Sequence, residues 1–180
     1  MSGRVIAVVG PSGVGKDTVM QALAARDSRF RLARRVITRP AEAGGEMFEG
    51  VGEAEFRRRA EAGAFALSWQ AHGLSYGIPA GISDALDEGC DVLVNLSRRV
   101  LPEAQARFPR LDVILLTADR TVLARRLSAR GRECAEDIER RLGRAALDLP
   151  EGIAAHRIDN SGPIETTVQA VLRCLYPVRA

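Results

Sequence analysis

The sequence predicts an α/β fold, a parallel β-sheet core flanked by helices on both faces. Two observations carry that expectation. The apolar, β-branched run from 5 to 9 feeds a glycine-rich turn and then a helical pattern. From Asp91 onward, short apolar runs alternate with helix-length segments, as strands buried on both faces do. A chain of 180 residues suits one domain with a sizeable core.

In chain order, Thr18 to Arg26 places Val19, Met20, Leu23 and Ala24 on one helical stripe. Phe30 to Ile37 reads as one strand ending at Thr38-Arg39-Pro40. Residues 41 to 52 are glycine-rich and acidic, a loop composition. Glu53 to Ala62 is a short charged helix with Phe56 inward, Gly63 to Trp69 a strand, and Ala71 to Pro79 a turn-rich segment. Pro79 to Glu88 reads as a helix with proline near its first turn. Strands follow at Asp91 to Asn95 and Leu111 to Leu116, with a helix from Arg99 to Arg107 between them. Helices span Thr121 to Arg130 and Glu136 to Leu147. A last strand at His156 to Asp159 precedes Asn160-Ser161-Gly162 and a helix from Pro163 to Leu175. The expected organisation is a core of 1–38 and 89–180, an insertion at about 39–88 above the strand ends, and a lid at about 128–138. Ligands of such sheets bind above those ends.

The turn itself, Gly10-Pro11-Ser12-Gly13-Val14-Gly15-Lys16, has the spacing of a P-loop between a strand and a helix. Glycines let successive backbone N–H groups point inward at phosphate oxygens, and the helix N-terminus adds its partial positive charge. Lys16 is the single lysine of the chain, every other basic residue being arginine. A compact ammonium suits the interior of such a loop, where a planar guanidinium does not. Where a P-loop usually has Ser or Thr after the lysine, this chain has Asp17 and then Thr18. A carboxylate beside a triphosphate needs a cation between them, so Asp17, helped by Thr18, is the expected Mg²⁺ ligand. The alternative is an acidic residue that only complements the helix dipole.

Composition narrows the rest. Apolar content of 46% and charged content of 27% are those of a globular soluble protein. The net charge of +3 invites nucleic acid, but aromatics make up only 4% and no basic run interleaves with them, so no nucleic-acid partner is expected. Cys90, Cys134 and Cys174 are odd in number and scattered, and His72 and His156 stand apart, so neither disulfides nor zinc are indicated. No apolar run reaches membrane-spanning length, and the start of the chain leaves no room for a signal peptide. A cytoplasmic protein with small polyphosphate ligands is the expectation. The residues specify no oligomeric state. Phosphoryl transfer needs positioned cations more than covalent help, and Arg39, Arg130 and Arg141 lie where a strand-end clamp and a hinged lid would use them.

These pieces resemble the guanylate kinase family of nucleoside-monophosphate kinases over nearly the whole chain. The matches are Gly-Pro-Ser-Gly-Val-Gly-Lys at 10–16, Thr38-Arg39-Pro40, Gly45-Glu46, Phe65 to Trp69, Tyr76-Gly77, Arg126-Leu127 with Arg130-Gly131, and Arg141-Leu142. The resemblance implies a P-loop kinase in which the insertion is an acceptor-binding subdomain. It implies ATP as donor, Arg39 and Tyr76 on the acceptor phosphate, Arg130 and Arg141 on the donor phosphates with Lys16, and Asn160 beside the adenine. The departures bear on the acceptor. Ser68 stands where that family has a guanine-reading glutamate, Ile78 follows Tyr-Gly in place of a hydroxyl residue, and Asn95 and Ser97 align with two aspartates. A second arginine expected just after Pro40 is missing. Pockets built to hydrogen-bond a polar group reject analogues by roughly 10⁴-fold, so these losses argue against guanine.

A narrower set of matches is similar to the ribose 1,5-bisphosphate phosphokinases of phosphonate degradation. It comprises Gly-Lys-Asp-Thr at 15–18, Thr-Arg-Pro-Ala at 38–41, Ala-His-Gly-Leu-Ser-Tyr-Gly-Ile-Pro at 71–79 and Val-Asn-Leu-Ser-Arg at 94–98. This resemblance implies transfer of the ATP γ-phosphoryl to a sugar bisphosphate, giving 5-phosphoribosyl 1-diphosphate (PRPP). A second acceptor phosphate needs further cations, for which Arg35, Arg98 and Arg99 are candidates, with His72 on a hydroxyl or phosphate. Ser68 and Asn95 would line the same acceptor pocket. The competing expectations are a guanylate kinase of altered specificity and a non-catalytic interaction module of the same fold.

Overall fold

The computed structural model describes residues 2–40, 47–129, 139, 142–143 and 148–177. Five parallel strands form the main sheet in the order β2-β7-β1-β8-β9. They are β1 (Val5–Val9), β2 (Phe30–Leu32), β7 (Asp91–Asn95), β8 (Leu111–Thr117) and β9 (His156–Asp159). β1 lies at the centre and is buried at every position. Its alternating side chains divide the core into two layers. Ile6 and Val8, with Leu93, Ile114 and Leu116, pack on Val19, Met20 and Leu23 of α1 (Lys16–Arg26) and on Val168, Val171 and Leu175 of α6 (Ile164–Leu175). Val5, Ala7 and Val9, with Val92, Val94, Val113 and Leu115, pack on Leu101, Ala104 and Phe108 of and beside α4 (Leu101–Arg107). The sheet is therefore sandwiched as the uninterrupted apolar runs require. α5 (Arg120–Ala129) connects β8 toward β9, and its Leu123 and Leu127 join the first layer.

A second, four-stranded sheet has the order β4-β3-β6-β5, with β3 (Val36–Ile37), β4 (Glu49–Gly50), β5 (Phe65–Ala71) and β6 (Leu74–Pro79). α2 (Glu53–Glu61) and α3 (Ile82–Asp87) flank it in sequence. Two expectations need correcting here. The single strand expected over Phe30 to Ile37 is two strands in different sheets, because the chain leaves the main sheet at Ala33–Arg35. Ala33 N–H still donates to Leu93 of β7, while the Arg35 carbonyl already accepts from Glu49 N–H. The segment expected to be turn-rich, Ala71 to Pro79, is mostly strand β6. Its two glycines misled: Gly73 completes a two-residue hairpin turn with His72, both at positive φ. Gly77 lies inside the strand, where a Cβ would come within 2.6 Å of the Phe65 ring.

The opposite end of the main sheet is closed by polar bonds. Arg4 donates to Asp91 through Nε at 3.0 Å, to Asp112 through Nη1 at 2.7 Å and to the Leu175 carbonyl at 2.8 Å. The Tyr176 hydroxyl donates to Asp91. The Arg29 guanidinium lies 3.8 Å from the Tyr176 ring centroid. Burial, and then the bond to Asp91, raise the Tyr176 hydroxyl above its ordinary pKa.

Candidate active site

The C-terminal end of β1 delivers the chain into the loop at 10–15, and α1 leaves it at Lys16. Gly15 caps α1 in the left-handed region at φ 96°, which an L side chain rarely adopts. Lys16 Nζ donates to the carbonyls of Gly10 and Pro11 at 3.1 and 3.2 Å, so the ammonium lies over the loop rather than in solvent. Anion-binding backbone, helix N-terminus and a local cation therefore converge at one point.

The loop is braced from behind by Asn160, 4% exposed. Its Nδ2 donates to the Val14 carbonyl at 2.7 Å, and its Oδ1 accepts from the Thr167 hydroxyl at 2.7 Å. Arg126 reaches the same carbonyl of Val14 at 3.2 Å and the carbonyl of Asn160 at 2.9 Å. Asn160 and Arg126, with Gly13, Gly15, Thr18 and Ala129 among others, line a hollow of about 400 Å³ beside the loop. Asn160, the expected neighbour of the adenine, borders this hollow while its amide holds the loop. Arg126 is a residue whose part sequence reasoning missed; the Arg-Leu pair was visible as a motif piece, but nothing indicated its bond to the loop. Asn160→Ala leaves the Val14 carbonyl only the longer bond from Arg126 and takes the buried Oδ1 acceptor from the Thr167 hydroxyl, at a cost of about 1–3 kcal/mol. The expected result is a lower thermal midpoint together with a raised KM for ATP, read by melting curves and initial rates.

Asp17 and Thr18 face different neighbours. Asp17 Oδ1 accepts from Asn95 Nδ2 at 2.9 Å, toward the end of β7, whereas exposed Thr18 lines the hollow beside Asn160. The donor set at Asp17 fits a hard divalent cation, which takes oxygen ligands. Mg²⁺ commonly uses one or two carboxylates together with substrate phosphates, so no larger cage is needed. Among the described residues no group of three or more His, Cys, Asp or Glu is placed to hold a metal.

Arg39 lies in the strand-to-loop junction after β3, its guanidinium 4.3 Å from the Phe48 ring centroid. With Thr38, Pro40, Gly50, Val51, Gly52 and Glu53 it lines a second hollow, of about 410 Å³. Tyr76 stacks on Trp69 with centroids 5.3 Å apart and planes at 7°. Arg35, only 8% exposed, packs 5.2 Å from the Tyr76 ring and donates to the Asn95 carbonyl at 3.0 Å. It therefore ties the end of β7 in the main sheet to β6 in the second. Ser68, paired with Gly77, is exposed on β5. His72 is at the hairpin tip at φ 53°, exposed, a conformation that His adopts more readily than most residues. Arg98 follows β7 and is half-buried; burial pushes its guanidinium below the usual pKa, partly offset by Asp148. Arg130, Arg141 and most of the expected lid and following helix lie outside the described residues. Of that helix Leu142 is placed in the core, 4% exposed.

Known proteins are similar over this whole arrangement. A family described as an AAA domain matches residues 6–147. Ribose 1,5-bisphosphate phosphokinase PhnN of Ruegeria sp. (strain TM1040) is 54% identical over 95% of this chain and 92% of its own. The protein of the same name from Pseudomonas fluorescens (strain SBW25) is 51% identical over 97% and 96%. The chain belongs to the ribose 1,5-bisphosphate phosphokinase family. That membership agrees with the P-loop and with the narrower set of sequence matches. Among solved structures, guanylate kinase from Anaplasma phagocytophilum superposes with a TM-score of 0.65 at 19% identity, covering 97% of this chain and 85% of its own. A gluconokinase from Sinorhizobium meliloti 1021 superposes with a TM-score of 0.55 at 20% identity. At such identities the likeness is one of fold: the ribose 1,5-bisphosphate phosphokinase family shares a P-loop kinase architecture with both.

Proposed function

We propose that this protein is a cytoplasmic ATP-dependent kinase that converts ribose 1,5-bisphosphate to PRPP, releasing ADP. The observation that carries the reading is near-full-length identity to relatives of that name, in a chain that keeps the P-loop and lacks the guanine-reading carboxylate at Ser68. An oxygen of the acceptor's 1-phosphate forms a bond to the γ-phosphorus as the β–γ bridging P–O bond breaks, and the departing charge remains on ADP. The protein supplies position and cations. The loop at 10–15 and Lys16 hold the donor phosphates. Arg126, Thr18 and Asn160 border the hollow for the rest of the nucleotide. Asp17 is the residue that would hold Mg²⁺, which would neutralise charge on the donor phosphates. Arg39 and Tyr76 take the reacting acceptor phosphate, with Arg130 and Arg141 on the transferring group. Arg98 and His72, with Ser68 nearby, serve the sugar and its second phosphate. Arg35 instead shapes the floor on which Tyr76 rests.

An acceptor panel tests this reading. Purified protein is given ATP and Mg²⁺ with ribose 1,5-bisphosphate or GMP, and products are followed by phosphorus NMR. The expected product is PRPP, with GMP turned over at least about 10³-fold more slowly because the purine's polar edge lacks its partners. Ready formation of GDP without PRPP would reject the proposal.

A further inference from the structure

Asn95 closes β7 and is only 6% exposed. Three elements fix it. Its Cα is in register with Val8 of β1, its carbonyl accepts from Arg35 Nη1 at 3.0 Å, and its Nδ2 donates to Asp17 Oδ1 at 2.9 Å. Asp17 lies in the first turn of α1, immediately after the lysine that lies over the loop. The bond from Asn95 occupies one carboxylate oxygen of Asp17 and leaves the other to be directed elsewhere. Only a donor can fill this role. An aspartate at position 95 would bring two carboxylates to hydrogen-bond distance, and they would repel each other.

We infer that Asn95 is a positioning residue: it holds one oxygen of Asp17 so that the other is presented to the divalent cation carried with ATP. The acceptor pocket expected to use Asn95 therefore loses it to the donor site. The same residue, through Arg35, ties the cation corner to the sheet that carries Tyr76, so the two substrate sites share one rigid joint. Partners of this kind orient a metal ligand without touching the metal, and their loss typically weakens metal binding 10–100-fold. The inference rests on the proposed metal–ATP reading of the loop and adds a residue in contact with neither.

Mn²⁺ affinity measured by electron paramagnetic resonance, on the full chain with a non-hydrolysable ATP analogue, tests it without any acceptor. The variants are Asn95→Leu, which keeps the volume and loses the donor, Asp17→Asn, and the double variant. Asn95→Leu is expected to weaken Mn²⁺ binding about 10-fold while affinity for the metal-free analogue stays within about twofold. The double variant is expected to be no weaker than Asp17→Asn alone, because Asn95 acts through Asp17. Asn95→Ser, which keeps a donor, should recover part of the affinity, and Asn95→Ala, which lacks one, replaces Asn95→Leu if that variant melts early. Unchanged Mn²⁺ affinity in Asn95→Leu, with Asp17→Asn impaired, overturns this inference and leaves the metal reading standing. A double variant weaker than Asp17→Asn also overturns it, since Asn95 would then act directly. Unchanged affinity in Asp17→Asn removes the metal reading itself, and this inference with it.

Discussion

Lys16→Met is expected to lower kcat/KM about 10³-fold, equivalent to about 4 kcal/mol of transition-state stabilisation. The ammonium is the cation held over the loop by the carbonyls of Gly10 and Pro11, and in the proposed reaction it meets the charge that accumulates as the β–γ bond breaks. Neither carbonyl belongs to the hydrophobic core, so the variant should melt near the parent temperature. Lys16→Arg should not rescue activity, because a planar fork cannot occupy the place of a compact point charge. Initial rates check both variants. A second check uses composition. Lys16 is the single lysine in the chain, so an amine-directed acyl phosphate should modify one ε-amine, and ATP should protect it. A Lys16→Met enzyme within tenfold of the parent rate would remove the loop from the mechanism.

Gly10→Ala is expected to destabilise the fold by about 3 kcal/mol through overpacking and backbone strain. A Cβ at this position would lie 2.5 Å from the Leu116 carbonyl oxygen and 3.0 Å from a Val14 methyl. The carbonyl cannot retreat cheaply, because β8 is hydrogen-bonded to β1 on one side and β9 on the other. The loop must therefore shift, so ATP binding should fail even in the fraction that folds. Gly52→Ala is the control. Gly52 precedes α2 at φ −75°, and nothing among the described residues lies within 4 Å of where a Cβ would stand. Its stability should stay within about 0.5 kcal/mol of the parent. Denaturant unfolding of both variants, with nucleotide titration of the first, separates the two outcomes.

The main sheet and the loop were legible because their signals are local. Val5 to Val9 can bury both faces only in a central strand, and the glycine spacing after it specifies the turn. The strands at Asp91–Asn95 and His156–Asp159 were read to the residue, the first from its apolar centre and the second from the Asn160-Ser161-Gly162 break that follows it. What failed was long-range. Phe30 to Ile37 carries no proline or glycine, so nothing in it marks the departure at Ala33–Arg35 to a second sheet. Gly73 and Gly77 look alike in sequence, yet one makes a turn and the other yields space to Phe65. The candidate site divides the same way. Lys16, Asp17 and Thr18 were found from spacing, but the bonds of Asn95 to Asp17 and of Arg126 to Val14 join residues 78 and 112 positions apart. No local pattern encodes such pairs. Asn95 is the instructive case, because its alignment with an acidic position suggested the acceptor, whereas its side chain bonds Asp17 beside the glycine-rich loop.

The Arg4–Asp91–Tyr176 cluster has a topological corollary. Parallel strands put all their beginnings at one pole, and there the guanidinium of Arg4, the residue before β1, reaches the Leu175 carbonyl. Splicing that junction with a short linker and reopening the polypeptide at an exposed bend such as Gly152 would yield a circular permutant with the same sheet order. Both cut and splice would lie away from the glycine-rich turn. The junction and the cut belong to the pole where the strands begin, so that connection can be rewired without disturbing the glycine-rich turn where β1 ends.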